Sequence, residues 1–430
     1  MSGDNRPLRA ALATLGCRVN FSETDHLRGR LQAAGYVLVD FEEEADLYIV
    51  NTCTVTHVAD RKSRQLLRRA ARHNGALVVA VGCYADVAAP LLRRMEGVDL
   101  VLTREEEPFL ESRLADLWRA RGREVPAALP EAAPLLPSSP ARALIQVQDG
   151  CDNRCAYCIV RLARGPGRSR PAGEVLEEVR QVERAGYPEI ILTGINLGAY
   201  RDPEVGNLAG LARRILEETG IRRIRFSSIE PQDFPLELLE LFPEPRLCRH
   251  FHLPLQSGCD RTLERMGRRY RFSDFRALVE EIHRRIPEVG LTTDVIVGFP
   301  GEAEEDFAES LRAIATLPLS DLHIFPFSLR PGTEAAAMEG HLPPALIHRR
   351  CEEMHLLARR MARAFREAFI GRELVVLWDG RAGAGWSGLS DNYLRVSAAT
   401  PGNWLARLTR TRITGSTDTA LVGQIVDFVV

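Results

Sequence analysis

Cys151, Cys155 and Cys158 stand together in GCDNRCAYCIV, a C-x3-C-x2-C array with Tyr157 immediately before the last thiol. Zinc sites usually pair thiolates as C-x2-C and close with a fourth ligand, and no fourth cysteine or histidine lies nearby. Three closely spaced thiolates can instead hold three irons of a cubane and leave the fourth iron open to another ligand; a structural zinc knuckle is the alternative for the array taken alone. A second trio is spread along the first hundred residues. TLG-Cys17, VNT-Cys53 and AVG-Cys83 each follow a strand-like run, 36 and 30 residues apart. Each interval fits one β–α unit, and parallel strands bring their carboxyl ends, where ligands of open α/β sheets bind, to one edge. A second three-cysteine cluster is the natural inference; buried core thiols need not share an edge. Cys248, Cys259 and Cys351 have no triad spacing and read as non-ligand thiols.

The elements that must position these thiols fall into three regions. Up to about residue 125, strand-like runs (Leu8 to Gly16, YVLVD, Ala45 to Thr52, Ala76 to Gly82) alternate with helical patterns, one of them beginning at a Ser22 cap. Such alternation predicts an open parallel α/β sheet covered on both faces. Residues 126–140 carry prolines at 126, 130, 134, 137 and 140 and read as a linker. Residues 141–370 contain six strand candidates, beginning at Ala143, Glu189, Arg222, Arg249, Leu291 and Asp321, with helical patterns between them. Six units predict a partial (β/α)6 barrel, since eight need about 250 residues. The cysteine array then follows the first barrel strand, at the face where barrel active sites lie. Residues 371–430 hold four short strands with glycine turns and predict a small β-barrel.

Composition excludes several classes. The 430 residues are 45% hydrophobic and 27% charged, and 56 basic against 58 acidic residues exclude binding to nucleic acid through bulk charge. Nearly every basic residue is arginine, with Lys62 the single lysine, which a biased genome composition explains. The first residues lack an apolar secretory core, and the longest tight apolar run, near Ala76 to Val81, is far short of the ~20 residues that span a bilayer. A cytoplasmic protein without membrane contact is expected, and nine cysteines there favour metal or redox use over disulfides.

The C-x3-C-x2-C array on a β–α barrel resembles the radical S-adenosylmethionine superfamily. Two trios, one per α/β domain, followed by a small β-barrel, resemble the methylthiotransferases within it. TLGCRVNFSETD, NTCTVTHVADRKSRQ and VVAVGCYAD are similar to that family's amino-terminal motifs; VQDGCDNRCAYCIV, ARGPGRSR, LTGINLGAY, RFSSIEP, HLPLQSG and TTDVIVGFPGE to its radical domain; GRELVVLWDG and GLSDNYLRV to its carboxy-terminal RNA-binding TRAM domain. NTCTV followed by ADRKSRQ resembles the members acting on threonylcarbamoyladenosine in tRNA. The resemblance implies two [4Fe-4S] clusters, on Cys17, Cys53 and Cys83 and on Cys151, Cys155 and Cys158, two S-adenosylmethionine per turnover, and methylthiolation of carbon 2 of adenosine-37 beside the anticodon. It also implies cofactor contacts from Gly194, Asn196, Ser228, Glu230, Gln256 and Asp294, at the ends of or along successive barrel strands; any one of them could merely cap a helix. Implied partners are a tRNA anticodon loop and an electron donor such as flavodoxin or ferredoxin, with the enzyme a monomer. Isopentenyladenosine or a ribosomal-protein aspartate are the alternative substrates, and a noncatalytic zinc-bearing RNA-binding protein is the alternative class.

Two departures from the family text stand out. Ile159, Val160, Arg161 and Leu162 replace an I-I-P-Y-like run, and Cys259 stands where serine is usual. For RNA, Arg161, Arg164, Arg168 and Arg170 cluster in sequence beside the array and are placed to grip anticodon-loop phosphates. In the tail, Trp378, Trp386, Tyr393 and Trp404 could stack on splayed bases or fill the small barrel's core.

Overall fold

The computed structural model describes residues 6–123 and 137–429. Most of the proline-rich stretch, including Pro126, Pro130 and Pro134, lies outside the described residues. The chain divides into two compact units: Met1–Ser138 with Gly150–Asp152 and Cys158–Pro166, and Ser139–Asp149 with Asn153–Tyr157 and Gly167–Val430.

In the first unit the order is β1 (Arg9–Thr14), α1 (Arg18–Ala33), β2 (Val37–Val39), β3 (Leu47–Thr52), α2 (His57–Ala70), β4 (Leu77–Gly82), α3 (Cys83–Arg93), β5 (Leu100–Val101) and α4 (Leu110–Ala120). The strands form one parallel sheet ordered β2-β1-β3-β4-β5. β3 is buried along its whole length, as a strand with helices on both faces must be. Leu31, Leu110 and Trp118 pack on one side and Leu67, Tyr84 and Leu92 on the other. The strand order reverses between β1 and β3, so the crevice at their carboxyl ends is the switch point where such sheets take ligands. α1 begins at Arg18 with Cys17 as its N-cap, five residues before the expected Ser22, which is buried inside the helix. The chain turns directly from β1 into the helix at Gly16, leaving no loop for a serine cap. α2 is capped as its sequence suggests, Thr56 accepting from the Ala59 amide at 3.2 Å.

The segment α5 (Val160–Arg164) also belongs to the first unit. In the second unit, six parallel strands follow one another in chain order: β6 (Arg142–Gln146), β9 (Glu189–Thr193), β12 (Arg223–Phe226), β13 (His250–His252), β14 (Gly290–Val297) and β15 (Asp321–Pro326). Bridges from Ile224 to Leu247 and from Ser228 to His252 join the two halves. Between them come two short ribbons, β7 (Gln148–Asp149) with β8 (Arg168–Ser169) and β10 (Arg201–Asp202) with β11 (Gly206–Asn207), and the helices α6 (Ala172–Arg184), α7 (Leu208–Glu218), α8 (Asp260–Arg265), α9 (Phe272–Arg285) and α10 (Glu304–Ile314). All six strands coincide with the runs expected from sequence. After α11 (Pro344–Glu367), the chain closes a barrel of β16 (Glu373–Ala382), β17 (Gly385–Ser390), β18 (Arg395–Ala398), β19 (Leu408–Ser416) and β20 (Leu421–Phe428). This is one strand more than expected: GWSGLS lacks the β-branched residues that announce a strand.

At the amino-terminal end of the six-stranded sheet, Glu189 is fully buried among three arginines. Arg142 Nε lies 3.0 Å, Arg223 Nε 3.1 Å and Arg225 Nε 3.3 Å from its carboxylate. The same arginines reach the small barrel: Arg142 pairs with Asp379 at 2.7 Å, and Arg225 donates to the Ser390 and Asp391 carbonyls. Tyr393 stacks on His250 with centroids 4.0 Å apart. Trp378 and Trp386 are buried in the barrel core with Leu374 and Val396. Of the two roles open to them from sequence, those two indoles therefore take the second and fill the core.

Candidate functional site

Cys17, Cys53 and Cys83 leave the sheet at the carboxyl ends of β1, β3 and β4, and two glycines let them approach. Gly16 has φ +115°, and a Cβ there would lie 3.1 Å from Cys53 Sγ. Gly82, at φ 87° and ψ −172°, is in a region essentially reserved for glycine. A Cβ on it would fall 2.1 Å from Asn51 Oδ1 and 2.7 Å from the Thr52 carbonyl. Asn20, fully buried, then ties the edge together. Its Nδ2 donates to the Leu15 carbonyl at 2.8 Å and the Thr52 carbonyl at 3.0 Å. Its Oδ1 lies 3.8 Å from Cys17 Sγ and 3.7 Å from Cys83 Sγ. Ser63 Oγ accepts from the Cys53 amide and donates to the Cys53 carbonyl, both at 3.2 Å.

The three thiols thus converge on one crevice, with Cys53 and Cys83 buried and Cys17 exposed. Among the described residues, the trio of His, Cys, Asp or Glu whose ligating atoms all lie within 4.8 Å is a different one, His252, Asp294 and His323. Burial pushes the Cys83 thiol up to about 12, with the Arg164 guanidinium pulling the other way; burial raises Cys53 as well. A metal held at this edge would therefore have to displace protons.

Arg164 is not the phosphate-gripping surface residue expected from sequence. It is buried, and its Nε donates to Cys83 Sγ at 3.1 Å, Nη2 to Asn20 Oδ1 at 2.6 Å and Nη1 to Glu23 Oε1 at 2.9 Å. A guanidinium committed in this way is not presented to RNA. Cys151 and Cys158, both partly exposed, lie in the same unit, where the Cys151 amide donates to the Gly165 carbonyl at 3.1 Å. Arg161 is exposed.

In the second unit, Cys155 sits on a segment fixed by the Ala156 amide donating to the Met266 carbonyl and the Ala335 amide donating to the Ala156 carbonyl. Arg268, whose side chain is only 1% exposed, donates from Nη1 to Cys155 Sγ at 3.2 Å and to Tyr157 Oη at 3.4 Å. Its Nη2 meets the Pro254 carbonyl at 3.0 Å and the Glu230 carboxylate. Glu230 is thus linked to Cys155 through Arg268. Gly194 lies against Gln148, whose Oε1 accepts from the Asn196 amide at 2.8 Å, and Asn196 Nδ2 donates to Asp233 at 2.8 Å. Ser228 bridges to His252. Gln256 takes a φ of 74°, rare for a side-chain-bearing residue, and its amide donates to the Asp294 carbonyl at 2.8 Å. Arg168 is exposed beside Asp149, whereas Arg170 is half-buried and paired with Glu178 at 2.6 Å.

Asp294 lies between two imidazoles, Oδ1 3.1 Å from His252 Nε2 and 3.3 Å from His323 Nδ1. Burial would raise its pKa; the hydrogen bonds from the two rings prevail and hold it well below the usual carboxylate range. Thr292 Oγ1 lies 2.8 Å from His252 Nδ1. Asp294 and His323 are register partners, and the opposite face carries buried Phe251, Leu291, Val295 and Leu322. His252, Thr292, Asp294 and His323 therefore share the polar face of β13–β15.

Comparison with known proteins gives this geometry a context. Residues 145–314 match the radical SAM superfamily, and residues 9–103 match a family described as uncharacterized protein family UPF0004. The chain is 36% identical to the threonylcarbamoyladenosine tRNA methylthiotransferase MtaB of Bacillus subtilis, covering 90% of this chain and 89% of that protein. It is also 36% identical to a tRNA-2-methylthio-N(6)-dimethylallyladenosine synthase of Syntrophotalea carbinolica, covering 87% and 89%. The chain belongs to the radical SAM tRNA methylthiotransferase family. It is a transferase. Among solved structures, the radical S-adenosylmethionine methyltransferase TsrM of Kitasatospora setae, with cobalamin and a [4Fe-4S] cluster bound, aligns with a TM-score of 0.54 at 17% identity over 77% of each chain, a likeness of fold.

For a methylthiotransferase of this kind, the sequence singled out the thiols but not what surrounds them. Asn20, Ser63, Arg268, His252 and His323 were missed: Asn20, Ser63 and His252 stand inside TLGCRVNFSETD, NTCTVTHVADRKSRQ and HLPLQSG without the spacing that singles out the thiols, and neither buried Arg268 nor exposed His323 has a local signal that separates it from its neighbours. Cys248, Cys259 and Cys351 lie in the second unit, at the sheet floor beside Arg223, at the start of α8 and in α11.

Proposed function

We propose that this enzyme methylthiolates carbon 2 of N(6)-threonylcarbamoyladenosine at position 37 of tRNA, with Cys17, Cys53 and Cys83 holding one [4Fe-4S] cluster and Cys151, Cys155 and Cys158 another. The observation that carries the proposal is the convergence of Cys17, Cys53 and Cys83 around Asn20 at the sheet's switch point. When bound, the clusters supply a carbon-centred radical from S-adenosylmethionine, able to break the unactivated C–H bond of the base, and a sulfur for transfer. The protein's own residues hold and orient. Arg268 fixes Cys155 and Glu230; Gln148 and Asp233 fix Gly194 and Asn196; Gln256 is held in its unusual backbone by the Asp294 carbonyl.

The polar face of His252, Thr292, Asp294 and His323 supports the choice of substrate. A threonylcarbamoyl substituent carries a hydroxyl, a urea and a carboxylate able to hydrogen-bond to this face, whereas a dimethylallyl chain has no polar group to offer it. NTCTV followed by ADRKSRQ, and the similarity to MtaB, support the same choice; relatives acting on dimethylallyladenosine are equally similar. Arg161 and Arg168 would meet anticodon-loop phosphates, and the carboxy-terminal barrel would act as a TRAM-like RNA-binding domain. No helix among the described residues is long and apolar enough to cross a membrane, and a cytoplasmic monomer reduced by a flavodoxin or ferredoxin is proposed. The test is anaerobic turnover, with S-adenosylmethionine and a strong reductant, on tRNAs bearing either modified adenosine. Mass spectrometry of the nucleosides should find the methylthio form of threonylcarbamoyladenosine. Methylthiolation of isopentenyladenosine alone would replace the substrate, and no cleavage of S-adenosylmethionine would reject the activity.

A further inference from the structure

Both thiol groups have a buried guanidinium against one sulfur: Arg164 at 3.1 Å from Cys83 and Arg268 at 3.2 Å from Cys155. Arg164 is the less expected of the two. Its side chain is 1% exposed, and the carboxylate it pairs with, Glu23, is a quarter exposed and also shared with Arg104 at 3.5 Å. Burying a cation is costly unless its charge is met. Here the guanidinium is turned toward the crevice rather than toward solvent, with one N–H aimed at a thiol sulfur and another holding the Oδ1 of Asn20, the atom nearest both Cys17 and Cys83. A site lined by three thiols with such a cation beside it suits an anionic occupant, which thiolates carrying a cluster are. Hydrogen bonds and positive charge at the sulfurs raise a cluster's reduction potential.

We propose that Arg164 is a positioning residue of the Cys17, Cys53 and Cys83 site, which retains the cluster there and makes it easier to reduce. The inference rests on the assignment of those thiols as cluster ligands. It also explains why an arginine six residues beyond Cys158 is withdrawn from the surface: the loop that follows one cysteine motif supplies a polar contact to the other.

The test uses the full chain with Cys151, Cys155 and Cys158 changed to alanine, so that the first trio alone can take up iron and sulfide under anaerobic reconstitution. Redox titration followed by electron paramagnetic resonance then reads one cluster. Arg164→Gln should lower the reduced-to-oxidised ratio at fixed potential about tenfold, equal to about 59 mV for a one-electron couple. Arg164→Lys, which keeps the charge but not the planar fork, should fall between. Glu23→Gln removes the opposing carboxylate without touching the guanidinium and should raise the ratio, so the proposal stays testable if Arg164→Gln does not fold. Loss of iron from a folded Arg164→Gln, restored in Arg164→Lys, also supports the assignment. Full iron with unchanged ratios in all three variants overturns it, because a purely structural tie between α5 and α3 would leave the potential alone. A parent that takes up no iron overturns instead the ligand assignment beneath it.

Discussion

Changing Gly82 to alanine should both destabilise the first unit and empty its thiol site. Gly82 lies at φ 87° and ψ −172°, immediately before Cys83, and holding a side-chain-bearing residue in such a region costs about 1–3 kcal/mol. The new Cβ would also stand 2.1 Å from Asn51 Oδ1 and 2.7 Å from the Thr52 backbone carbonyl. A buried backbone atom cannot rotate away, so overpacking adds about 1–3 kcal/mol. Gly75 supplies the comparison: its φ is +81°, but nothing lies within 4 Å of a Cβ placed there. Gly75→Ala should therefore cost only the left-handed backbone, about 1–2 kcal/mol, and keep all of its iron. Urea unfolding and iron analysis after anaerobic reconstitution read both variants. Gly82→Ala should be the less stable by at least about 1 kcal/mol and fall from about eight irons per chain to about four. Equal stability and equal iron in the two variants would refute the argument that close approach of the β3 and β4 ends positions Cys83.

Other perturbations probe separate parts of the site. Cys155→Ala should abolish cleavage of S-adenosylmethionine, while Cys53→Ala should leave some cleavage and stop sulfur insertion, as followed by chromatography of 5′-deoxyadenosine and of nucleosides. Asp294→Asn should raise KM for the threonylcarbamoyl tRNA by roughly tenfold or more, since hydrogen bonds to a charged group contribute about 1.5–3 kcal/mol; a raised KM for S-adenosylmethionine with that for tRNA unchanged would return Asp294 to the cofactor contact the family resemblance implies and remove the polar face from substrate binding. Glu189→Ala leaves three arginines without their carboxylate and should cost about 3–5 kcal/mol in chemical denaturation. Burial would raise the pKa of Glu189, but Arg225, Arg223 and Arg142 hold it at about 2. The stability it contributes is complete above the ordinary carboxylate value of about 4.3 and is lost as pH falls toward 2, so the alanine variant should show a shallower acid loss than the parent. Arg168→Ala should weaken tRNA binding and reduce its salt slope by about 1.

The six strands of the second unit and the glycine-led cysteines of the first were legible because each is a local signal: an apolar run of strand length, or a thiol directly after one. Partnership between distant segments was not. Arg164 reads in sequence as one of four arginines beside an exposed loop, and only packing of α5 against the start of α3 turns it inward to Cys83. Trp378 and Trp386 read equally as bases' partners or as core, and closure of the barrel decides for core. β17 escaped notice because glycine and serine fill it, and its strand character comes from its neighbours on both sides. His252 and His323 lie on different strands 71 residues apart, and their meeting at Asp294 is a matter of register.

Iron counting in three full-length proteins tests the two-trio assignment most directly: the parent, a Cys17, Cys53 and Cys83→Ala triple variant, and a Cys151, Cys155 and Cys158→Ala triple variant. About eight irons in the parent and about four in each variant, with matching acid-labile sulfide, is the expected result. A parent with about four irons, unchanged when Cys17, Cys53 and Cys83 are removed, would contradict it.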